Sequence, residues 1–269
     1  YYLMSDSNIH PTAVVDPDTN IGANVKIGPY CVIGKGAVLG DNVVLKNHVS
    51  IEGKVTLGAG TLVSPFASFG PPQDLKFGGE NSELIIGENC RIFEHVTMNT
   101  GTEKGGMVTR VGDNGHFMVG VHIAHDCQVG NNVIMANNAT LAGHVQVGNH
   151  VVIGGLAAVH QFIRIGDFAV IGGLSGIDAD IIPYGRAKGE RANLAGLNLI
   201  GLERSGFSKD EVRKMQKAYK SLFSSEGTFE DRIKTLEEQA EEDPHISKIV
   251  EFARAKKRFP LCQPRKSAA

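Results

Sequence analysis

Six of the ten histidines fall within 45 positions: His116, His122, His125, His144, His150 and His160. An imidazole titrates near pH ~6.5 in water, so it can take a proton from an attacking hydroxyl or amine at neutral pH. It is also a common zinc ligand. Gly143 stands directly before His144, and a residue with no side chain leaves its backbone N–H open to a developing oxyanion. The four cysteines, Cys31, Cys90, Cys127 and Cys262, include no CxxC pair. That speaks against a zinc knot and a disulfide framework and fits a reducing, cytoplasmic setting.

These side chains can meet only if something positions them, and the sequence supplies a repeat. Aliphatic residues recur every six positions, from Ile9, Val15, Ile21, Ile27 and Ile33 through Ile123, Val129, Met135, Leu141 and Val147 to Ile177. The next position is often Gly, as at Gly22, Gly28, Gly34, Gly130, Gly148 and Gly166, and the fifth is small or β-branched, as at Ala37, Val43, Cys127 and Ala139. A period of six is neither helical nor a continuous two-residue alternation. It predicts short flat strands joined by tight corners, with the aliphatic inward, the fifth residue filling a narrow interior and Gly relaxing the backbone at the turn. Cys31, Cys90 and Cys127 occupy fifth positions, so they read as interior filler and not as nucleophiles. No single hexapeptide can bury its own face, so the array must fold cooperatively.

With about 18 residues per coil, positions that far apart sit over one another, one strand spacing of ~4.8 Å apart. His125, Gly143 and Gln161 then form one column, and Asp126, His144 and Phe162 the next. His125, His144, His160 and Gln161 are expected to converge on one patch roughly 10 Å tall. His150 reads as a solvated corner side chain. A second column, Asn137, Gly155 and Gly173, predicts a narrow groove beside that patch, shaped for an acyl chain. Residues 70–85 and 101–110 break the period and predict two loops, natural places for ligand contacts on a rigid scaffold.

The pattern changes near Pro183. Residues 1–183 hold 9 Lys+Arg against 16 Asp+Glu and 27 of the 33 glycines; residues 184–269 hold 18 against 13. The domain boundary is placed there, with a β domain over 1–183 and a helical domain over 184–269. Helices are expected over Asn193 to Arg204, from Ser208 to about Phe223, from Thr228 to about Glu241, and from Asp243-Pro244 to before Pro260. Ser208-Lys209-Asp210-Glu211 is a capping box. Over the whole 269 residues the net charge is −2, which excludes a general nucleic-acid binder, and no apolar run reaches the ~20 residues of a membrane helix. Residues 1–9 carry no secretory signature, and Met4 reads as the natural start after Tyr1-Tyr2-Leu3.

The repeat resembles that of the hexapeptide-repeat acyltransferases, which implies an all-β left-handed parallel β-helix, commonly a homotrimer with sites between subunits. Ile123-Ala124-His125-Asp126-Cys127, Asn137 to His144, Ala158 to Phe162 and Gln73-Asp74-Leu75-Lys76 resemble the UDP-N-acetylglucosamine 3-O-acyltransferases, which begin lipid A synthesis. The likeness runs from Ile9-His10-Pro11-Thr12 to Gly201 through Phe207. It implies transfer of a 3-hydroxyacyl chain from the phosphopantetheine of acyl carrier protein, with no other cofactor and no metal. His125 would be the general base, Asp126 its orienting partner and the Gly143 N–H the oxyanion donor. Gln73, Asp74 and Lys76 would meet the acyl or pantetheine portion, with Gly155 and Gly173 along the chain groove. His122, His144, His160, Gln161, Asn198 and Arg204 would bind the nucleotide sugar. The basic side of the helix after Ser208 (Lys209, Arg213, Lys214, Lys217, Lys220) suits docking of an acidic carrier protein, or else is a solvated face.

Three positions depart from the family: Asn99 in place of His, Ile200 in place of an acidic residue, and Ser205 in place of Arg. They keep open a 3-amino analogue of UDP-GlcNAc as acceptor, giving an amide. A more remote alternative is the trimeric zinc carbonic anhydrase of the same fold, for which His116, His122 and His125 would be the ligands. A non-enzymatic β-helix scaffold is the remaining class.

Overall fold

In a computed structural model, the structure describes residues 9–256 and 258–265. The Met4 start lies outside the described residues. The six-residue period becomes two-residue strands such as Lys26–Ile27, Val32–Ile33 and Val38–Leu39, each followed by a corner. They assemble into three sheets of nine, eight and ten strands, one per side of a parallel β-helix. Neighbouring coils pair Val14 with Val32 and His122 with Thr140, an offset of 18 as the period predicts. The two period breaks leave the frame as loops, but shorter than expected: Glu83–Ile86 and Val108–Val111 are already strands of the eight-stranded sheet. Ser68 pairs with Thr97, an offset of 29 instead of 18 and so an insertion of 11; Thr97 pairs with His122, an offset of 25 and so an insertion of 7.

The hexad aliphatics line the interior, with Ile27, Leu45, Leu57, Ile92, Ile123, Leu141 and Ile153 fully buried. Cys31, Cys90 and Cys127 are buried with them, as their phase predicts. Burial pushes the Cys127 thiol up to about 12, which removes it as a nucleophile at neutral pH.

The hexad glycines do not do what their position suggested. Gly130 and Gly148 have ordinary backbone angles, and the left-handed conformation falls instead on corner residues such as Asn132 (φ 58°), Asn138 (58°), Leu156 (59°) and Phe162 (68°). Glycine is required there by proximity: a Cβ on Gly130 would lie 2.7 Å from the carbonyl carbon of Gly148 in the next coil, and one on Gly28 would lie 2.6 Å from the Lys46 oxygen. Side chains bind the coils at another corner, where the N–H groups of Asp113, Asn131 and Asn149 donate to Asn131, Asn149 and Asp167 at 2.8, 2.9 and 2.8 Å.

Beyond Pro183, Gly185–Lys188 still pairs in parallel with Val170–Ile171, adding one more strand to the prism. The helix expected from Asn193 is corrected: Asn193–Leu197 is a strand, antiparallel to Gly185–Lys188, and only Leu199–Arg204 is helical (α1). Gly196 at φ 89° fits this hairpin and would weaken a helix. The next three helices, α2 (Lys209–Leu222), α3 (Phe229–Ala240) and α4 (Pro244–Arg254), begin where their caps predict, with complete capping boxes at Ser208 and Thr228. The helices are clamped to the prism by Arg164, which pairs with buried Asp180 at 2.8 Å and lies 4.4 Å over the Phe252 ring. No helix among the described residues is long and apolar enough to cross a membrane.

If close approach fixes Gly130, then Gly130→Ala should lower stability by about 1–3 kcal/mol. Gly130→Asn should not rescue it, although Asn tolerates positive φ. Urea-denaturation midpoints of the two variants check this; a stable Asn variant would return the glycine to a conformational role.

Candidate active site

The site grows from one corner of the prism, where Asp126 (φ 61°), His144 (φ 62°) and Phe162 (φ 68°) stack in successive coils with left-handed backbones. His125 precedes this column. Its Nδ1 lies 2.7 Å from Asp126 Oδ2, and the carboxylate is fully buried while the imidazole keeps 14% of its surface. Donation from Nδ1–H to the carboxylate leaves Nε2 with its lone pair, the arrangement a general base needs.

The same carboxylate has other partners. Its Oδ1 accepts from the Thr102 N–H at 2.8 Å and its Oδ2 from the Thr102 hydroxyl at 2.7 Å. The Asp126 N–H donates to Thr109 Oγ1 at 2.7 Å. His144 Nε2 stands 3.7 Å from Oδ2, and its ring meets His125 edge-on at 5.1 Å and stacks on Phe162 at 4.4 Å. The guanidinium of Arg258, from the C-terminal segment, lies 3.9 Å from the centroid of the Phe162 ring.

Gly143 is buried under the His125 ring: a Cβ there would come within 2.5 Å of Cε1 and 2.7 Å of Nε2. Its N–H donates no hydrogen bond among the described residues. An imidazole with a free Nε2 and an unpaired amide donor therefore occupy one column, as the coil register predicts.

A cleft of about 410 Å3 opens over them, lined by His125, His144, Gln161 and Phe162 on the prism, by Asp74, Lys76 and Glu80 from the first loop, and by Thr102, Glu103 and Lys104 from the second. Asp74 is fixed in a local turn, its Oδ1 accepting from the Lys76 N–H at 3.0 Å. Gln73 is exposed beside it. His122 flanks the site, its Nδ1 2.8 Å from Thr97 Oγ1.

Other expected residues lie elsewhere on the chain. His160 does not line that cleft; it is exposed, its Nδ1 3.2 Å from the Gln161 carbonyl oxygen, edge-on to Phe259 and beside a separate depression with Asp178 and Arg191. Its position is one before the corner, so its side chain leaves along the flat side. Arg204 and Asn198 line a third cavity with Ile200 and Tyr219, and Asn198 is already engaged, donating to the Phe168 carbonyl and accepting from the Gly201 N–H as the cap of α1. The groove beside the His patch is corrected too. Gly155 and Gly173 do stack, a Cβ on Gly173 lying 3.2 Å from the Gly155 oxygen, but at the corner joining the ten- and nine-stranded sheets. His125 lies at the corner joining the nine- and eight-stranded sheets. Two positions can share a phase in the hexad without sharing a corner in the coil. His116 and His122 likewise lie on different sheets; the set of ligand-type atoms that does gather among the described residues is His125, Asp126 and His144, within 4.8 Å. Of the departures, Asn99 is buried and donates to the Pro71 carbonyl at 3.0 Å, tying down the first loop.

The chain was compared with known proteins. A family profile described as UDP N-acetylglucosamine O-acyltransferase, domain 2, matches residues 180–262. The acyl-[acyl-carrier-protein]–UDP-N-acetylglucosamine O-acyltransferase of Caulobacter vibrioides is 50% identical over 96% of this chain and 98% of its own length. That of Rickettsia canadensis is 52% identical over 93% and 95%. The chain belongs to this acyltransferase family. The crystal structure of the UDP-N-acetylglucosamine O-acyltransferase from Moraxella catarrhalis superposes with a TM-score of 0.92 at 39% identity, covering 96% of this chain and all of that one. This acyltransferase therefore shares its parallel β-helix and helical tail with solved relatives. What the period could not announce in it are Thr102, Thr109, Glu80, Glu103, Lys104 and Arg258; only the position of the two loops pointed toward the first five.

Burial lowers the pKa of His122 and of His144. For His144, Asp126 and Asp74 pull upward while His125 and Arg258 add to the lowering. A histidine depressed in the folded state binds fewer protons than the unfolded chain between its folded pKa and ~6.5, so stability rises with pH there. The urea midpoint of this acyltransferase should fall as pH drops below ~6.5, and the slope should flatten in the His122→Gln/His144→Gln double variant. An unchanged slope would show that neither ring is held neutral.

Proposed function

We propose that the chain carries out the first step of lipid A biosynthesis, moving a 3-hydroxyacyl group from acyl carrier protein to the 3-position of UDP-GlcNAc. The observation that carries the reading is His125, tied through Nδ1 to Asp126 and lying over the unpaired Gly143 N–H. His125 Nε2 takes the proton of the 3-hydroxyl as that oxygen attacks the thioester carbonyl carbon. Asp126 holds the ring and stabilises the imidazolium. The Gly143 N–H donates to the tetrahedral oxyanion. Collapse breaks the C–S bond, and the pantetheine thiolate takes the proton from His125, restoring the base. A thiolate is a good leaving group, so no separate acid is needed.

Asp74 and Lys76 line the same cleft as His125 and suit the pantetheine side of the donor. His122, His144 and Gln161 suit the sugar. Asn198 and Arg204 share a cavity away from His125, and His160 and the Gly155–Gly173 column lie apart as well. A homotrimer would bring such separated surfaces against a neighbour's cleft, and we read the chain as that assembly in the cytoplasm. The hydroxyl acceptor is favoured by the names of the relatives, which specify O-acyl transfer. The 3-amino acceptor is favoured by Ile200, an exposed apolar residue in the cavity of Asn198 and Arg204.

An acyl-transfer assay offering both acceptors against carrier proteins of several chain lengths tests the assignment, and product mass separates ester from amide. His125→Ala should lose about 10²–10⁴-fold in kcat while keeping the fold and an apparent solution mass of three chains. Retained transfer would remove His125 as base, a single-chain mass would remove the shared cleft, and stoichiometric zinc by metal analysis would favour the anhydrase reading.

A further inference from the structure

The Asp126 carboxylate is held by a segment the repeat does not supply. Thr102 and Gly105 come from the inserted stretch before the strand Val108–Val111, and Thr109 from that strand; all three meet Asp126. Thr102 bonds both carboxylate oxygens, through its N–H to Oδ1 and its hydroxyl to Oδ2. Thr109 takes the Asp126 backbone N–H. A side chain at Gly105 would overlap the carboxylate itself. Two imidazoles stand near one oxygen, His125 Nδ1 at 2.7 Å and His144 Nε2 at 3.7 Å from Oδ2, so the rotation of the carboxylate decides which of them it serves.

We propose that Thr102 is the positioning residue of the base pair: its two hydrogen bonds lock the Asp126 carboxylate toward His125 and away from His144. This rests on His125 as general base. With one donor on each oxygen the carboxylate cannot turn without losing both. Remove the hydroxyl and only the Oδ1 anchor remains; Oδ2 can swing to His144, and His125 is free to adopt the Nε2–H tautomer, which cannot accept a proton from the acceptor. Thr102 is itself buried, and valine matches its shape, so the substitution removes the hydroxyl and little else.

The experiment compares full-length wild type with Thr102→Val and Thr102→Ser. Readouts are kcat, KM, the pH profile of kcat/KM, and the His125 tautomer from ring-nitrogen NMR on histidine-labelled protein. Thr102→Val should lose roughly 10–100-fold in kcat, the scale of other outer-shell hydrogen-bond losses, with KM within about twofold. The acidic limb of kcat/KM should differ from wild type, because the ring that takes the proton has lost its carboxylate partner. His122 and His144 also face that ring, Asp74, Lys76, Glu80, Glu103 and Lys104 line the cleft, and Arg258 lies over Phe162; all are unchanged in the variant, so the shift isolates the carboxylate. Thr102→Ser should restore both rate and limb. Wild-type kcat and Nδ1–H tautomer in Thr102→Val would overturn the proposal, as would a Ser variant as impaired as Val, or a slower Val variant with limb and tautomer unmoved. The NMR readout does not depend on turnover, so failure of His125 as base, seen in an active His125→Ala, stays distinct from failure of Thr102 as its positioner.

Discussion

Coil-on-coil hydrogen bonding is the constraint from which the rest of this molecule follows. Alternate backbone N–H groups donate one coil on, as from Val14 to Cys31, His122 to Ala139 and Ala124 to Leu141, so height along the prism advances by one strand spacing with each full turn of the coil. Corner residues must then accept whatever backbone closes the triangle. Even Leu156, Leu174 and Tyr184 take left-handed φ values. Such values cost a bulky side chain about 1–2 kcal/mol and persist only because the stacked coils over-determine them. The active corner uses that rigidity. Asp126 and His144 are set by backbone geometry before any side-chain interaction is made, and His125 has one place to lie, on the coil that carries Gly143.

The irregular parts do the work a repeat cannot. A strictly periodic corner would leave Asp126 at the surface, as Asn138 is at its own. The 101–110 loop buries it and supplies donors, and the 70–85 loop adds Asp74 and Lys76 to the opposite wall. The helical tail contributes at a distance. Arg164, paired with Asp180 and covered by Phe252, sets α4 against the prism, and the segment after α4 then carries Arg258 onto the Phe162–His144 stack. The tail therefore braces Phe162, a wall residue of the cleft.

Much of this could be read from the sequence because one period fixes both phase and height. The interior aliphatics, the inert position of Cys127, the His125–Gly143–Gln161 column and the caps at Ser208 and Thr228 all follow from spacing or local chemistry. Two of the errors come from treating phase as position. Gly155 shares a hexad slot with Gly143 but sits on another corner, and His160 is one residue short of the corner that would have turned it into the cleft. The glycines after the aliphatics answer to the neighbouring coil, a contact one full turn away that local turn rules do not contain. The stretch at Asn193–Leu197 became a strand because the last coil of the ten-stranded sheet offered an unpaired edge at Gly185–Lys188, and pairing there outweighed helical spacing. Thr102 was invisible for a simpler reason: nothing in a loop's sequence says which buried carboxylate it will cover.

Three imidazoles crowd this cleft, and their surroundings divide the labour. His122 and His144 are depressed chiefly by burial, which disfavours their charged forms. His122 commits Nδ1 to the Thr97 hydroxyl, and His144 lies flat on Phe162, 3.7 Å from the nearest carboxylate oxygen. Of the three, only His125 has a carboxylate at hydrogen-bond distance. Under the proposed mechanism neutral rings suit hydrogen bonding to the sugar, and a second imidazolium beside His125 would oppose protonation of that ring. The same low-dielectric setting that keeps His122 and His144 neutral strengthens the His125–Asp126 bond. Burial thus disfavours charge on the rings without a carboxylate and tightens the contact of the ring that has one, which sets His125 apart from two chemically identical side chains.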